Sequence, residues 1–145
     1  MNSPLLNDLR DHQTLCRELL LMAERESQAL HANQTPQLEE VYRVKRLLLP
    51  RLKESLAVVR QHRIHWQGLT PAERSAQPEV QFLIRQIQDL TMRVIHLDRE
   101  NEQGLLRRGL IPARELASAQ QQQQRPHFVA DLYRRQAADA VQQAG

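Results

Sequence analysis

The chain has 145 residues, a net charge of +3 and a pI near 9.6, with 3% aromatic residues, four glycines and a single cysteine. That length suits one domain with a sizeable core, and a composition led by Leu, Gln, Glu, Arg and Ala favours helix over strand. Cys16 alone excludes an intramolecular disulfide, no apolar run approaches the ~20 residues of a membrane span, and acids stand where a secretory signal would be positive, so a soluble cytoplasmic protein is expected.

The charge is unevenly spread. Residues 1–40 hold seven acids against three bases, and residues 41–66 hold seven bases against one acid. Residues 67–106 hold six acids against four bases, and residues 107–145 six bases against three acids. Helix-length blocks of alternating sign suit neighbouring antiparallel helices that neutralise each other. A nucleic-acid face on residues 43–63 is the lesser reading, because no aromatic residues are interleaved there.

In chain order, Ser3 is an N-cap before Pro4, with Asp8 and Asp11 near the positive end of the helix dipole, so a first helix is expected over about 4–33. Leu5, Leu6, Leu9, Cys16, Leu19, Leu20, Ala23 and Leu30 mark its apolar side, interrupted by His12 or Gln13 and by Glu26 or Ser27. Thr35-Pro36 repeats the start signal for a second helix over about 36–66, joined to the first as a hairpin or as one bent rod. Its stripe runs through Leu38, Val41, Leu48, Leu52, Leu56, Val59 and Trp66, with Lys45 breaking in. Pro50 lies inside it, which predicts a kink near residues 46–50 or two shorter helices. Glu26 and Lys45 are either a paired polar layer that sets helix register or two solvent-facing residues.

Gly68 ends the second helix, and Thr70-Pro71-Ala72-Glu73 is a capping box that predicts a single helical turn. A third long helix is expected over about 78–108. Val80, Leu83, Ile87, Leu90, Val94, Leu97, Asn101 and Gly104 follow at alternating steps of three and four, a heptad seam around which the other helices should assemble. Arg107 and Arg108 suit its negative end, Gly109 a left-handed cap with Leu110 folding back on Leu105, and Pro112 blocks continuation. Asn101 at a seam position needs a hydrogen bond and can set register. Gly104 marks either fraying or a close approach of another backbone.

Residues 112–145 differ in character. A polar segment ending in five glutamines is a tether, and beyond Pro126 the pairs Phe128–Leu132 and Val129–Tyr133 predict a short amphipathic helix that docks on its own bundle or on a partner. The expected architecture is therefore all-α: an antiparallel bundle of three long helices with coiled-coil-like packing over 1–111, plus a tethered, mobile C-terminal helix over 112–145.

Catalytic chemistry is not expected. His62 and His65 stand three apart, but no nearby Cys or carboxylate completes a metal set, and solvated histidines are the simpler reading. Cys16 reads as a small core residue. No phosphate-cradling glycine loop is present, and no cofactor is implied.

The layout resembles the FlgN-type flagellar export chaperones. A Leu- and Glu-rich helix leads into a second with K-x-x-L-L near its middle (Lys45, Leu48 and Leu49, with Arg46 and Leu47 between), and a third long helix closes with N-x-x-G-L-L (Asn101, Gly104, Leu105, Leu106). The resemblance spans residues 5 to about 108, with a looser echo at Tyr133-Arg134; Pro50 and the glutamine run depart from it. It implies a cytoplasmic type III export chaperone, monomer or homodimer, that binds hook-associated proteins, prevents their early assembly and delivers them to the export apparatus. It also implies client contact at Asn101, Gly104, Leu105 and Leu106, to which amphipathic spacing adds Phe128, Val129, Leu132 and Tyr133. The alternatives are a structural coiled-coil adaptor without a client and, less favoured, a nucleic-acid-binding helical protein.

Overall fold

A computed structural model describes residues 3–108, which form three long helices and one short one. Helix α1 spans Pro4–His31, α2 Thr35–Gln67, α3 Pro71–Ser75 and α4 Pro78–Arg107. The fold is all-α, without strand among the described residues. The expected polar tether and C-terminal helix, and the turn around Gly109, lie outside them.

The start signals work as their chemistry requires, with two exceptions. Ser3 Oγ accepts the Leu6 N–H at 3.1 Å, and the Thr70–Glu73 box closes in both directions, at 3.1 and 3.0 Å. At the second helix, however, Thr35 is already helical and Gln34 precedes it without a side-chain cap; Gln77 before α4 likewise gives none. The chain reverses between α1 and α2 over residues 32–34, where Asn33 takes a left-handed φ of 54° that asparagine tolerates better than most residues. The two helices therefore form a hairpin, not one bent rod.

Residue pairs across the bundle give its directions. Between α1 and α2, Asp8 meets His62, His12 meets Ser55 and Glu26 meets Lys45, so the two run in opposite senses. Between α1 and α4, Arg10 meets Glu79, Gln13 meets Gln86 and Asn101 meets Ala23, so these two run in the same sense. Helix α1 is the shared element. It buries twelve residues over a broad stripe, and both other long helices lie along it while scarcely meeting each other directly. The assembly is thus organised around α1 rather than around the heptad seam of α4.

That seam also drifts. Val80, Leu83, Ile87 and Val94 are buried where alternating three-four steps put them, but the next buried positions are Asp98, Asn101 and Leu105. Leu97 is only half-buried, and Gly104 is partly exposed. A straight helix rotates about 20° per heptad against a strict 3.5-residue repeat. Over three heptads the drift exceeds half of one residue's turn, so the buried stripe moves on by one position.

Helix α2 passes through Pro50 without a break, so the second helix is not split. Pro50 and Arg46 are both exposed, and water can take the Arg46 carbonyl that the proline leaves without its donor. Pro50→Ala restores that bond and is expected to stabilise the bundle by about 1–3 kcal/mol. Urea unfolding followed by circular dichroism measures this; an unchanged midpoint would mean the helix already relieves the strain by bending.

Candidate functional site

Two features of this bundle go beyond packing: a polar layer buried between the three long helices, and the open side of α2 and α4. The polar layer determines what the end of α4 can do.

Lys45 on α2 is fully buried, at 0% exposure. Its ammonium donates to Asp98 Oδ1 of α4 at 3.1 Å and to Glu26 Oε1 of α1 at 3.4 Å. Asn101 Nδ2 donates to the same Glu26 oxygen at 3.0 Å and to the Ala23 carbonyl at 2.9 Å. Four polar side chains from three helices thus meet where apolar spacing alone would put leucine. Burial pushes the Lys45 ammonium down, but the charges of Asp98 and Glu26 outweigh it and hold the group above its ordinary range. Tyr42 stands one turn before Lys45; burial first, then the Glu26 and Asp98 charges, raise its hydroxyl far above the usual phenol range. The layer divides the apolar interior. Leu9, Leu19, Leu52 and Val94 belong to the larger cluster on one side, and Ala29, Leu30, Leu38 and Leu105 form a smaller cluster on the other.

Of the expected client-binding residues, Asn101 and Leu105 are committed inside the bundle, at 3% and 2% exposure. Gly104 and Leu106 are partly exposed beside them. A side chain at 104 would meet Leu30 Cδ1 at 3.5 Å, an ordinary contact, so no close backbone approach demands this glycine. Arg108 donates to the Asn33 side-chain carbonyl and ties the end of α4 to the α1–α2 turn. Phe128, Val129, Leu132 and Tyr133 lie outside the described residues.

Neither Glu26 nor Lys45 faces solvent, which resolves the two readings their sequence positions allowed. Asp98 was missed altogether, because a strict heptad register put Leu97 in the seam. The signal that could have found it is the pair Asp98–Asn101 at a spacing of three, matched to one lysine in an otherwise apolar stripe. His62 is not simply solvated: its Nε2 lies 2.7 Å from Asp8 Oδ2, across the α1–α2 joint. No three metal-ligating groups converge among the described residues. No described helix is long and apolar enough to cross a membrane.

At the opposite end from the polar layer, α1, α2 and α4 leave an apolar cavity of about 400 Å³. Leu5, Leu9, Val59, Trp66, Ile84 and Ile87 form its walls, with Arg63 at the edge. Beyond Leu52, α2 contributes no fully buried side chain, so this end of the bundle is the less completely covered.

The chain matches no known protein family, no curated protein and no solved structure in sequence or fold comparison.

Lys45→Met is expected to cost about 3–5 kcal/mol, because it strands two buried carboxylates. Replacing all three charges together, Glu26→Leu, Lys45→Met and Asp98→Leu, should recover most of that loss. Chemical unfolding of the two variants tests this, and a loss in the triple variant as large as in Lys45→Met alone would show that stranded carboxylates are not the source of the cost. A second expectation concerns His12, buried against the Ser55 hydroxyl at 2.8 Å, whose burial lowers its pKa to about 4. The unfolded chain takes up that proton near pH 6.5 while the folded chain resists until about 4. Stability is therefore full above pH 6.5 and falls by about 3 kcal/mol as the pH drops toward 4. His12→Gln should remove this part of the acid sensitivity, read as a flatter dependence of the urea midpoint between pH 6.5 and 4.5.

Proposed function

We propose that this protein is a cytoplasmic chaperone of flagellar type III export, which holds a helical segment of a hook-associated protein and passes it to the export apparatus. The reading starts from the resemblance carried by Lys45–Leu49 and by Asn101, Gly104, Leu105 and Leu106. The observation that carries it furthest is the apolar cavity of about 400 Å³ that α1, α2 and α4 leave beside Trp66, into which a client helix could insert an apolar side chain. Binding of this kind needs no nucleotide, metal or covalent step.

The expected contact residues divide in two under this reading. Gly104 and Leu106 are accessible as the bundle stands. Asn101 and Leu105 could reach a client only if the last turns of α4 part from α1, which would exchange the Asn101 bonds to Glu26 and the Ala23 carbonyl for water at a net cost of about 0.5–1.5 kcal/mol each, besides the lost burial of Leu105. Their role in this proposal is to hold the end of α4 in place, with Leu106 and the residues beyond 111 left for the client.

The test is calorimetric titration of the C-terminal segment of a hook-associated protein into the full chain and into a chain ending at Gln123. Binding to the full chain, weakened by the truncation, is the expected result. Equal affinity in both would remove Phe128, Val129, Leu132 and Tyr133 from the contact. Absence of binding to the full chain would overturn the export reading itself.

A further inference from the structure

We infer that the groove between α2 and α4 is a docking surface for an acidic amphipathic helix, which it grips by an aliphatic floor and basic rims. The inference deepens the chaperone reading and rests on it only in taking the partner to be a polypeptide.

The Lys45–Asp98 pair marks the side on which α2 and α4 face each other. From Lys45 that side of α2 continues through Leu49, four residues on, and Leu56, seven further. From Asp98 that side of α4 continues back through Ile95 and Thr91 to Ile84. Leu49 is buried, while Leu56, Ile84 and Ile95 are half-buried, and Ile95 lies outside the core cluster. The side is closed at Lys45, Asp98 and Leu49, and further along it Leu56, Ile84 and Ile95 keep part of their surface accessible between the two helices. This strip ends in the 400 Å³ cavity beside Trp66, large enough for one bulky apolar side chain of a partner.

The rims decide the occupant. Residues three or four apart are neighbours on a helix, so Arg46 and Lys53 flank Leu49, Lys53 also flanks Leu56, and Arg99 flanks Ile95. Arg63 stands at the edge of the cavity. All four basic residues are exposed, and among the described residues none of them enters a salt bridge or side-chain hydrogen bond. The acids on the groove side are already engaged, Asp98 with Lys45 and Glu102 in an interaction of its own. Glu39, near the α1–α2 turn, is the exception. Four uncompensated bases along an aliphatic strip call for a helix with an apolar stripe bordered by Asp and Glu.

Other occupants fit less well. The chain's own residues 126–141 carry two Asp and two Arg, no net charge to answer the rims. A nucleic acid would find the bases but no aromatic side chain to stack on along Leu49, Leu56, Ile84 and Ile95.

The experiment titrates full-length protein with a helical peptide that carries leucines at heptad spacing bordered by glutamates, and with its counterpart bordered by lysines. The same titrations use the full-length Arg46→Glu/Lys53→Glu/Arg63→Glu variant, whose three changes are at exposed positions and whose helicity is checked by circular dichroism. The glutamate peptide should bind the wild type, weaken with salt, and lose roughly tenfold or more in the variant, while the lysine peptide gains. Equal affinity for both peptides, or an unchanged affinity in the variant, overturns the inference. So does tighter binding of a peptide of residues 126–141 or of a single-stranded DNA, or a dimer in sedimentation that the variant dissolves. If the glutamate peptide binds and a hook-associated segment does not, the groove stands and the export reading falls. If that segment binds wild type and variant alike, the export reading stands and the groove falls.

Discussion

A lysine with no access to water holds this bundle in one arrangement. Lys45 can be buried only if carboxylates reach it, and they come from two different helices, Glu26 of α1 and Asp98 of α4. Asn101 then satisfies the Glu26 oxygen a second time and binds the α1 backbone. Each long helix is thereby set in height and rotation against the other two. An apolar core would tolerate a slip of one turn at modest cost, whereas a slip here would strand a charge in the interior. The layer adds little net stability, since removing three charges from water offsets much of their attraction. Its contribution is to make alternative packings of Leu-rich helices unfavourable.

The same layer explains why the molecule is uneven from end to end. Next to it, toward the α1–α2 turn, lies the small buried cluster of Ala29, Leu30, Leu38 and Leu105, and Arg108, just past the end of α4, bonds to Asn33 in that turn. Away from it, polar pairs such as His12–Ser55, Asp8–His62 and Gln13–Gln86 accompany the apolar contacts between helices, and α2 has no fully buried residue after Leu52. The register is held toward one end, and the apolar cavity beside Trp66 lies toward the other.

Much of the helical plan could be read from the chain because it rests on local chemistry. Ser3 before Pro4, the Thr70–Glu73 box and the proline at the start of each helix act over three or four residues, and the helix limits follow from them. The polar layer was legible only as a question. Glu26 and Lys45 each break an apolar stripe, but a stripe on one helix does not say which residue of another helix comes opposite. Asp98 was hidden by a one-residue drift of the buried face, and drift depends on how straight the helix runs. The groove was hidden for a related reason: heptad spacing shows that a helix has a partner, not how many neighbours it has or which side stays open.

By itself, then, the sequence determined an all-α chain of three long helices and a short one, because capping, proline placement and helix propensity act within a turn or two. It also carried the block of positive charge on the second helix. Only the tertiary structure decided that α1 is the shared element, that four polar side chains from three helices close on one another, and that Asn101 and Leu105 serve the interior. Each of these depends on which faces meet across space, and that is set by satisfying buried charge and filling volume among helices far apart in the chain.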